Sequence, residues 1–248
     1  MMNNKKRKKR ILILIVLVSF AFFCSSLGYA IINNKKSKAL GDTIIVGDIN
    51  RKVSTSIQEG RNLSEELRNL KSNYNEAAMW LKVPGTSIDF PIFQSGDNDR
   101  YLRNNRDNKK TKWGEPFLDY RCDISKIESP GNYIIYGHNS ETDDNFTPLL
   151  NYKQKSFYEA HSTIELATAE KDYTFDIFSA YITDTKFYYI QTEFENTQEY
   201  QSYIDSVKQK SKYDTNINLS TNDTILTLST CDYSIGNGRF VVQAKLRK

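Results

Sequence analysis

The sequence of 248 residues is poor in cysteine and histidine, with three Cys and two His. Three cysteines are too few for a disulfide framework in a chain of this length, although a single bridge between Cys122 and Cys231 stays open. The two histidines, His138 and His161, lie far apart in the sequence and are poor evidence for a zinc site. We therefore expect one domain with a sizeable hydrophobic core, no metal and no cofactor.

Acidic residues are absent from residues 1–38, which hold nine basic residues. Since the whole chain has 34 Lys and Arg against 30 Asp and Glu, the remainder carries 25 basic and 30 acidic residues. A protein that binds nucleic acid needs a basic face on its folded part. The charge distribution therefore argues against a nucleic-acid partner.

Charge is also absent from residues 11–32, an apolar run long enough to cross a bilayer as a helix. Six basic residues lie within residues 1–10, directly before the run. Positively charged flanks stay in the cytoplasm. We therefore predict a cytoplasmic basic tail at 1–10, a single transmembrane anchor at 11–32, and an extracellular location for everything that follows.

Two alternatives to an uncleaved anchor use the same apolar run. Small residues before Ala30 fit cleavage by a signal peptidase after that residue. Lipid attachment at Cys24 is disfavoured, because the bulky Phe22 and Phe23 stand where small residues are expected. We favour the anchor because apolar residues continue through Ile32. All three interpretations place the rest of the chain outside the cytoplasm.

The composition and spacing of residues 33–248 predict three parts: a polar stalk at 33–50, a helical segment at 51–79 and a strand-rich domain at 80–248. In the segment 51–79, leucines recur at helical spacing. Ser64 precedes two glutamates, as the N-cap residue of a helix would. The leucines concerned are Leu63, Leu67 and Leu70.

From Trp80 onwards, short β-rich runs alternate with turn residues. The predicted strands are 80–83, 88–93, 116–120, 132–136, 163–169, 173–183, 224–230 and 240–246. One helix is predicted at 197–211, where four apolar side chains form a stripe. Many short strands with one late helix indicate a mainly β fold, a β-barrel with helical additions.

Two residues that can carry chemistry flank a predicted hairpin turn near the C-terminus. Cys231 follows the strand 224–230, and Arg239 opens the strand 240–246. A hairpin puts the thiol and the guanidinium at the same end of two neighbouring strands. Positive charge stabilises a thiolate, and a guanidinium can also hold an oxyanion. The alternative is a buried, inert cysteine and an ordinary surface arginine.

A histidine occupies a comparable position, because His138 follows Gly137 at the end of the strand 132–136. His161, by contrast, lies in a polar stretch with no strand leading into it. A structural His138 that bonds its own turn is the alternative. A cysteine with a histidine distant in the sequence is typical of thiol-dependent acyl transfer, and here both stand, with an arginine, at the ends of predicted strands.

These motifs resemble the sortase family. The segment Thr227-Leu228-Ser229-Thr230-Cys231 is similar to the family's cysteine signature, and Arg239 fits the arginine on the following strand. Tyr136-Gly137-His138 is similar to the family's histidine segment. The resemblance covers about residues 78–248. It is greatest to class B sortases, through Asp119-Tyr120-Arg121, the long hairpin after the cysteine and the late helix.

The resemblance implies a closed eight-stranded β-barrel and a cysteine transpeptidase. In such an enzyme Cys231 attacks the backbone carbonyl of the peptide bond that follows Thr in a C-terminal sorting signal. His138 exchanges protons with the leaving and incoming amines, and Arg239 stabilises the negative charge that develops. Substrates are secreted proteins with an Asn-Pro-Gln-Thr-Asn-like signal or a variant of it. A peptidoglycan amine then resolves the acyl-enzyme. The residues implied as substrate contacts are Asn98, Leu102, Thr185, Tyr189 and Ser229, and Asp232 is expected to modulate the pocket.

Two other functions stay open at this point. A membrane-tethered extracellular binding module could use the same barrel without turnover, and a disulfide between Cys122 and Cys231 would mark it. A cysteine protease that hydrolyses its acyl-enzyme shares the first half-reaction, so the sequence does not distinguish it from a transpeptidase.

Overall fold

The computed structural model describes residues 61–140, 142 and 144–248. The predicted basic tail, anchor, stalk and Cys24, and the beginning of the helical segment, lie outside the described residues. Within the described part of the chain, no helix is both long and apolar enough to cross a membrane.

Eight strands close into a barrel, so the prediction of a mainly β, eight-stranded barrel is confirmed. The strands are β1 (Ala77–Lys82), β2 (Asp89–Phe93), β3 (Phe117–Leu118), β4 (Gly131–Tyr136), β5 (Thr163–Ala167), β6 (Asp172–Thr183), β7 (Thr224–Asp232) and β8 (Gly238–Leu246). Their order around the barrel is β1-β2-β3-β4-β7-β8-β6-β5. Most neighbours are antiparallel, but β4 runs parallel to β7, and β2 to β3.

The helices of the described residues lie before and between the strands. They are α1 (Leu63–Lys71), α2 (Arg100–Arg103), α3 (Lys155–Ala160) and α4 (Thr197–Lys210), together with 3₁₀ helices at Ile124–Lys126 and Thr147–Lys153. The predicted late helix is α4, and its aromatic and aliphatic stripe packs on β6, β7 and β8. The sequence did not predict α2 and α3, because four and six residues are too short to show a helical period.

Coverage of both faces of β7 explains why nearly all of its residues are buried. The barrel interior covers one face, and α4 covers the other, so eight of the nine residues in the strand are buried. Strand β1 alternates between buried and half-buried residues instead, as a strand with one covered face does. Because β7 is packed on both faces, its backbone is held rigidly. The position of Cys231 near the end of this strand is therefore fixed.

The predicted N-cap at Ser64 is wrong. Helix α1 begins at Leu63, and the side chain of Asn62 accepts a hydrogen bond from the backbone N–H of Glu65 at 3.0 Å. Ser64 therefore lies inside the first turn, where it is buried and its hydroxyl donates to the carboxylate of Asp172. Both residue types suit the cap position, and the packing of Ser64 against the barrel decides between them.

Candidate active site

Three strand ends bring the predicted catalytic residues together. In the antiparallel register of β7 and β8, Cys231 stands directly opposite Arg239. In the parallel register of β4 and β7, Tyr136 stands beside Ser229, and the N–H of Gly137 continues the ladder to the carbonyl of Ser229 at 3.1 Å. The chain leaves the sheet at His138, on the same end of the barrel as Cys231.

All eight residues predicted from the sequence as site residues line one cavity of about 360 Å³. The cavity also takes in aromatic and aliphatic side chains, most of them from the loop between β6 and α4. The complete lining consists of Asn98, Asp99, Leu102, Phe117, Tyr136, Gly137, His138, Thr185, Phe187, Tyr188, Tyr189, Ile190, Ser229, Thr230, Cys231 and Arg239. An apolar cleft with a few convergent polar groups is the usual form of a binding site.

Two contacts hold the imidazole of His138. Its Nε2 donates a hydrogen bond to the carbonyl oxygen of Leu102 at 2.9 Å, since a carbonyl can only accept. The ring of Trp113 lies 5.8 Å from the imidazole, tilted by 56°. Sequence reasoning missed Trp113, because it stands in a polar stretch with no strand or helix pattern around it.

Cys231 is a free, partly exposed thiol. Its backbone carbonyl accepts a hydrogen bond from Nδ2 of Asn139 at 3.1 Å. Continued strand geometry would turn Asn139 away from Cys231, but the strand does not continue that far. Strand β4 ends at Tyr136, and the chain then turns so that Asn139 forms an isolated bridge with Asn145 and reaches across to β7.

Cys122 is also free, so the structure holds no bridge between it and Cys231. Burial raises the pKa of the Cys122 thiol to about 12. A buried thiol with a raised pKa is a poor nucleophile. The disulfide that would have marked a non-catalytic binding module is therefore missing from the described residues.

The guanidinium of Arg239 faces the cavity from β8, between Thr183 on β6 and Cys231 on β7. One of its nitrogens, Nη1, donates to the carbonyl of Gly238 at 2.9 Å. Among the described residues, no carboxylate forms an ion pair with Arg239. Its positive charge is consequently free to act on the neighbouring sulfur or on a bound anion.

A buried hydrogen bond joins two of the predicted substrate contacts. The hydroxyl oxygens of Tyr189 and Ser229 lie 2.7 Å apart. Burial raises the pKa of Tyr189, while the bond to Ser229 and the charge of Arg239 oppose that rise. The phenol therefore stays neutral, and it couples the loop after β6 to the strand that carries Cys231.

Asp232 points away from the cavity, although it follows Cys231 directly. Its side chain is fully buried and forms an ion pair with Lys153 at 2.5 Å. Burial alone would raise the pKa of Asp232, but the hydrogen bonds from Lys153 and Ser234 outweigh it and lower the pKa. The carboxylate is thus engaged beneath the hairpin, and it does not line the cavity among the described residues.

His161 lies apart from the cavity. Its ring packs 4.5 Å from the ring of Phe157, and its backbone carbonyl accepts a hydrogen bond from the hydroxyl of Tyr152 at 2.7 Å. Over the part of the chain that the structure describes, no group of three or more His, Cys, Asp or Glu residues is placed to hold a metal ion.

Comparisons with known proteins agree with this geometry. The sortase domain family matches residues 81–247. Sortase B of Listeria monocytogenes is 37% identical over 234 residues, which is 94% of this chain and 94% of that protein. Sortase B of Staphylococcus aureus is 39% identical over 171 residues, covering 68% of this chain and 69% of that protein.

Solved structures give the same result. The Staphylococcus aureus sortase B-substrate complex superimposes with a TM-score of 0.70 at 33% identity, covering 82% of this chain and 94% of that one. Clostridium perfringens sortase B superimposes with a TM-score of 0.69 at 36% identity, covering 73% of this chain and 99% of that one. The chain belongs to the sortase family, as a cysteine transpeptidase of the class B type.

Proposed function

We propose that this enzyme cleaves a C-terminal sorting signal after Thr and transfers the protein so released to a peptidoglycan amine. Cys231 is the nucleophile, His138 the proton carrier and Arg239 the residue that stabilises developing negative charge. The observation that carries the proposal is the direct pairing of Cys231 with Arg239 across β7 and β8, where both residues line the same cavity as His138.

In the first half-reaction, the thiolate of Cys231 attacks the carbonyl carbon of the Thr residue in the signal. The guanidinium of Arg239 donates to the oxyanion of the tetrahedral intermediate. The imidazolium of His138 then protonates the leaving amine as the peptide bond breaks. The products are a thioester on Cys231 and the free C-terminal fragment of the signal.

In the second half-reaction, the acceptor amine attacks the thioester carbonyl. The neutral imidazole of His138 takes a proton from this amine, and the sulfur of Cys231 leaves as the new amide bond forms. The contact of His138 Nε2 with the carbonyl of Leu102 supports this role, because it fixes the orientation of the ring. Related sortase B structures were solved as a substrate complex and as a complex with triglycine, which supports a peptide donor and an amine acceptor here.

The cavity suits an extended peptide with polar side chains. Its lining includes Asn98, Leu102, Thr185, Tyr189 and Ser229. An Asn-Pro-Gln-Thr-Asn-like signal or a variant offers amide and hydroxyl groups to these partners. We propose that residues 11–32 anchor the enzyme in the cell membrane with the catalytic domain outside, where it meets secreted proteins and the cell wall.

Peptide cleavage by the full-length chain in detergent tests the proposal. With a sorting peptide and an amine acceptor, we expect a transpeptidation product, and the Cys231→Ala variant should form none. Omitting the amine separates a transpeptidase from a protease, since a protease releases hydrolysed peptide at the same rate without an acceptor. Cleavage by the Cys231→Ala variant would contradict the assignment of the nucleophile.

A further inference from the structure

Asp119 and Arg121 form an ion pair whose carboxylate is buried and whose guanidinium is partly exposed. The carboxylate of Asp119 has no exposed side-chain surface. Arg121 holds both of its oxygens, with Nε donating to Oδ1 at 2.9 Å and Nη2 to Oδ2 at 2.7 Å. Burial by itself raises the pKa of Asp119, but the hydrogen bonds from Arg121 and Tyr136 outweigh it and lower the pKa. The pair is therefore fully charged at neutral pH.

The pair holds one part of the cavity lining through Asp119. Nδ2 of Asn98 donates to Oδ2 of Asp119 at 3.1 Å, and Oδ1 of Asn98 accepts from the N–H of Tyr120 at 3.0 Å. The hydroxyl of Tyr136 donates to Oδ2 of Asp119 at 2.8 Å. Both Asn98 and Tyr136 line the cavity. Asp119 thus fixes which end of the Asn98 amide faces each neighbour.

The same pair holds a second part of the cavity lining through Arg121. Nη2 of the guanidinium donates to the backbone carbonyl of Ile190 at 3.0 Å, and Nη1 to the hydroxyl of Tyr188 at 3.4 Å. Both partners belong to the loop between β6 and α4 and line the cavity. A planar guanidinium that binds a carboxylate with two bonds has its remaining donors aimed in fixed directions.

We infer that Asp119 and Arg121 are positioning residues for substrate recognition, which tie Asn98 and the loop between β6 and α4 to each other in the cavity lining. This inference rests on the proposed function. Among the described residues that line the cavity, neither member of the pair is present, so both act through other residues. Their loss should weaken binding of the peptide without disturbing the reactive thiol.

The catalytic groups are held independently of the pair. Cys231 and Arg239 are fixed by the register of β7 and β8. His138 bonds the carbonyl of Leu102 on α2, and α2 is anchored elsewhere: its Arg100 and Tyr101 both donate to the carboxylate of Glu76. Loss of the bond from Asn98 to Asp119 therefore frees one side chain of the cavity lining and leaves α2 in place.

The test uses the full-length chain in detergent with the variants Arg121→Lys and Asp119→Asn. KM and kcat for a sorting peptide are measured separately, together with the rate at which iodoacetamide labels Cys231, followed by mass spectrometry. We expect KM to rise about 10-fold, since small misplacements of binding groups weaken binding to this extent. The change in kcat should be smaller, and the labelling rate of Cys231 should stay within about twofold of wild type.

A matched control is Asp176→Asn, which breaks an Arg–Asp pair with Arg247 at the far end of β6. It should leave KM unchanged. The inference is overturned if Arg121→Lys folds and binds peptide as wild type does, or if its labelling rate falls along with kcat. Arg121→Lys keeps a positive charge beside Asp119. This variant therefore tests the inference even if Asp119→Asn does not fold. A wild-type chain that cleaves no sorting peptide would instead contradict the proposed function.

Discussion

Cys231 and Arg239 face each other as directly opposed residues of two antiparallel strands. Cross-strand partners of this kind have Cβ atoms about 5 Å apart, so a thiol and a guanidinium fall within reach of one substrate carbonyl. Burial of the rest of β7 on both faces fixes this relationship. The proposed chemistry therefore depends on the register of the sheet more than on the conformation of a loop.

Replacing Arg239 tests whether its positive charge, which the strand register places beside Cys231, stabilises the oxyanion. We expect Arg239→Ala to lower kcat/KM for a sorting peptide by about 10²-fold or more, because the oxyanion loses its donor. Arg239→Lys should retain an intermediate rate, since it keeps the charge but not the planar fork. Steady-state kinetics check both variants, and wild-type activity in Arg239→Ala would contradict the role.

The two histidines offer an internal comparison. His138→Ala should lower kcat by about 10²-fold or more, because the amine loses the imidazole with which it exchanges its proton. His161→Ala should keep wild-type kinetics, since its ring packs on Phe157 away from the cavity. Equal losses of activity in the two variants would indicate that stability, and not proton transfer, is being measured.

The hydrogen bond between Tyr189 and Ser229 should support binding of the peptide. Tyr189→Phe removes one hydroxyl and leaves the buried hydroxyl of Ser229 without this partner, a cost on the order of 1 kcal/mol. We expect KM to rise about 5-fold with a small change in kcat. Tyr200→Phe is the matched control, because it loses buried hydrogen bonds of α4 that lie away from the cavity.

The ion pair of Asp232 with Lys153 should make the fold sensitive to acid. A carboxylate with a lowered pKa in the folded state contributes stability above its unfolded pKa of about 3.9, and loses it as pH falls further. In Asp232→Asn this contribution is missing, so the free energy of unfolding should vary less with pH in the acid range. Urea unfolding from about pH 7 to about pH 3 measures it. A pH profile that matches wild type would contradict the assignment.

Much of this architecture is predictable from the sequence, because strand patterns and turn residues act locally. The hairpin with Cys231 and Arg239 combines two apolar runs with a glycine-rich turn, and the strand before His138 ends in Gly137. Those features place the three residues at strand ends. The eight strands were predicted for the same reason, with boundaries that differ by a few residues.

Contacts between distant segments were not predictable in this way. Trp113 reaches His138 from a polar loop, Asn139 reaches the carbonyl of Cys231 after the strand has ended, and Lys153 neutralises Asp232 from a 3₁₀ helix. Each contact depends on how the chain packs between elements. A single sequence carries no local pattern for such packing.

Mass spectrometry of the acyl-enzyme that forms from a sorting peptide, with the amine acceptor left out, tests the role of Cys231 as nucleophile. We predict that the fragment of the peptide up to Thr becomes attached to Cys231, and that an added amine removes it. Attachment to a different residue, or normal cleavage of the peptide with no adduct on Cys231, would contradict nucleophilic attack by Cys231.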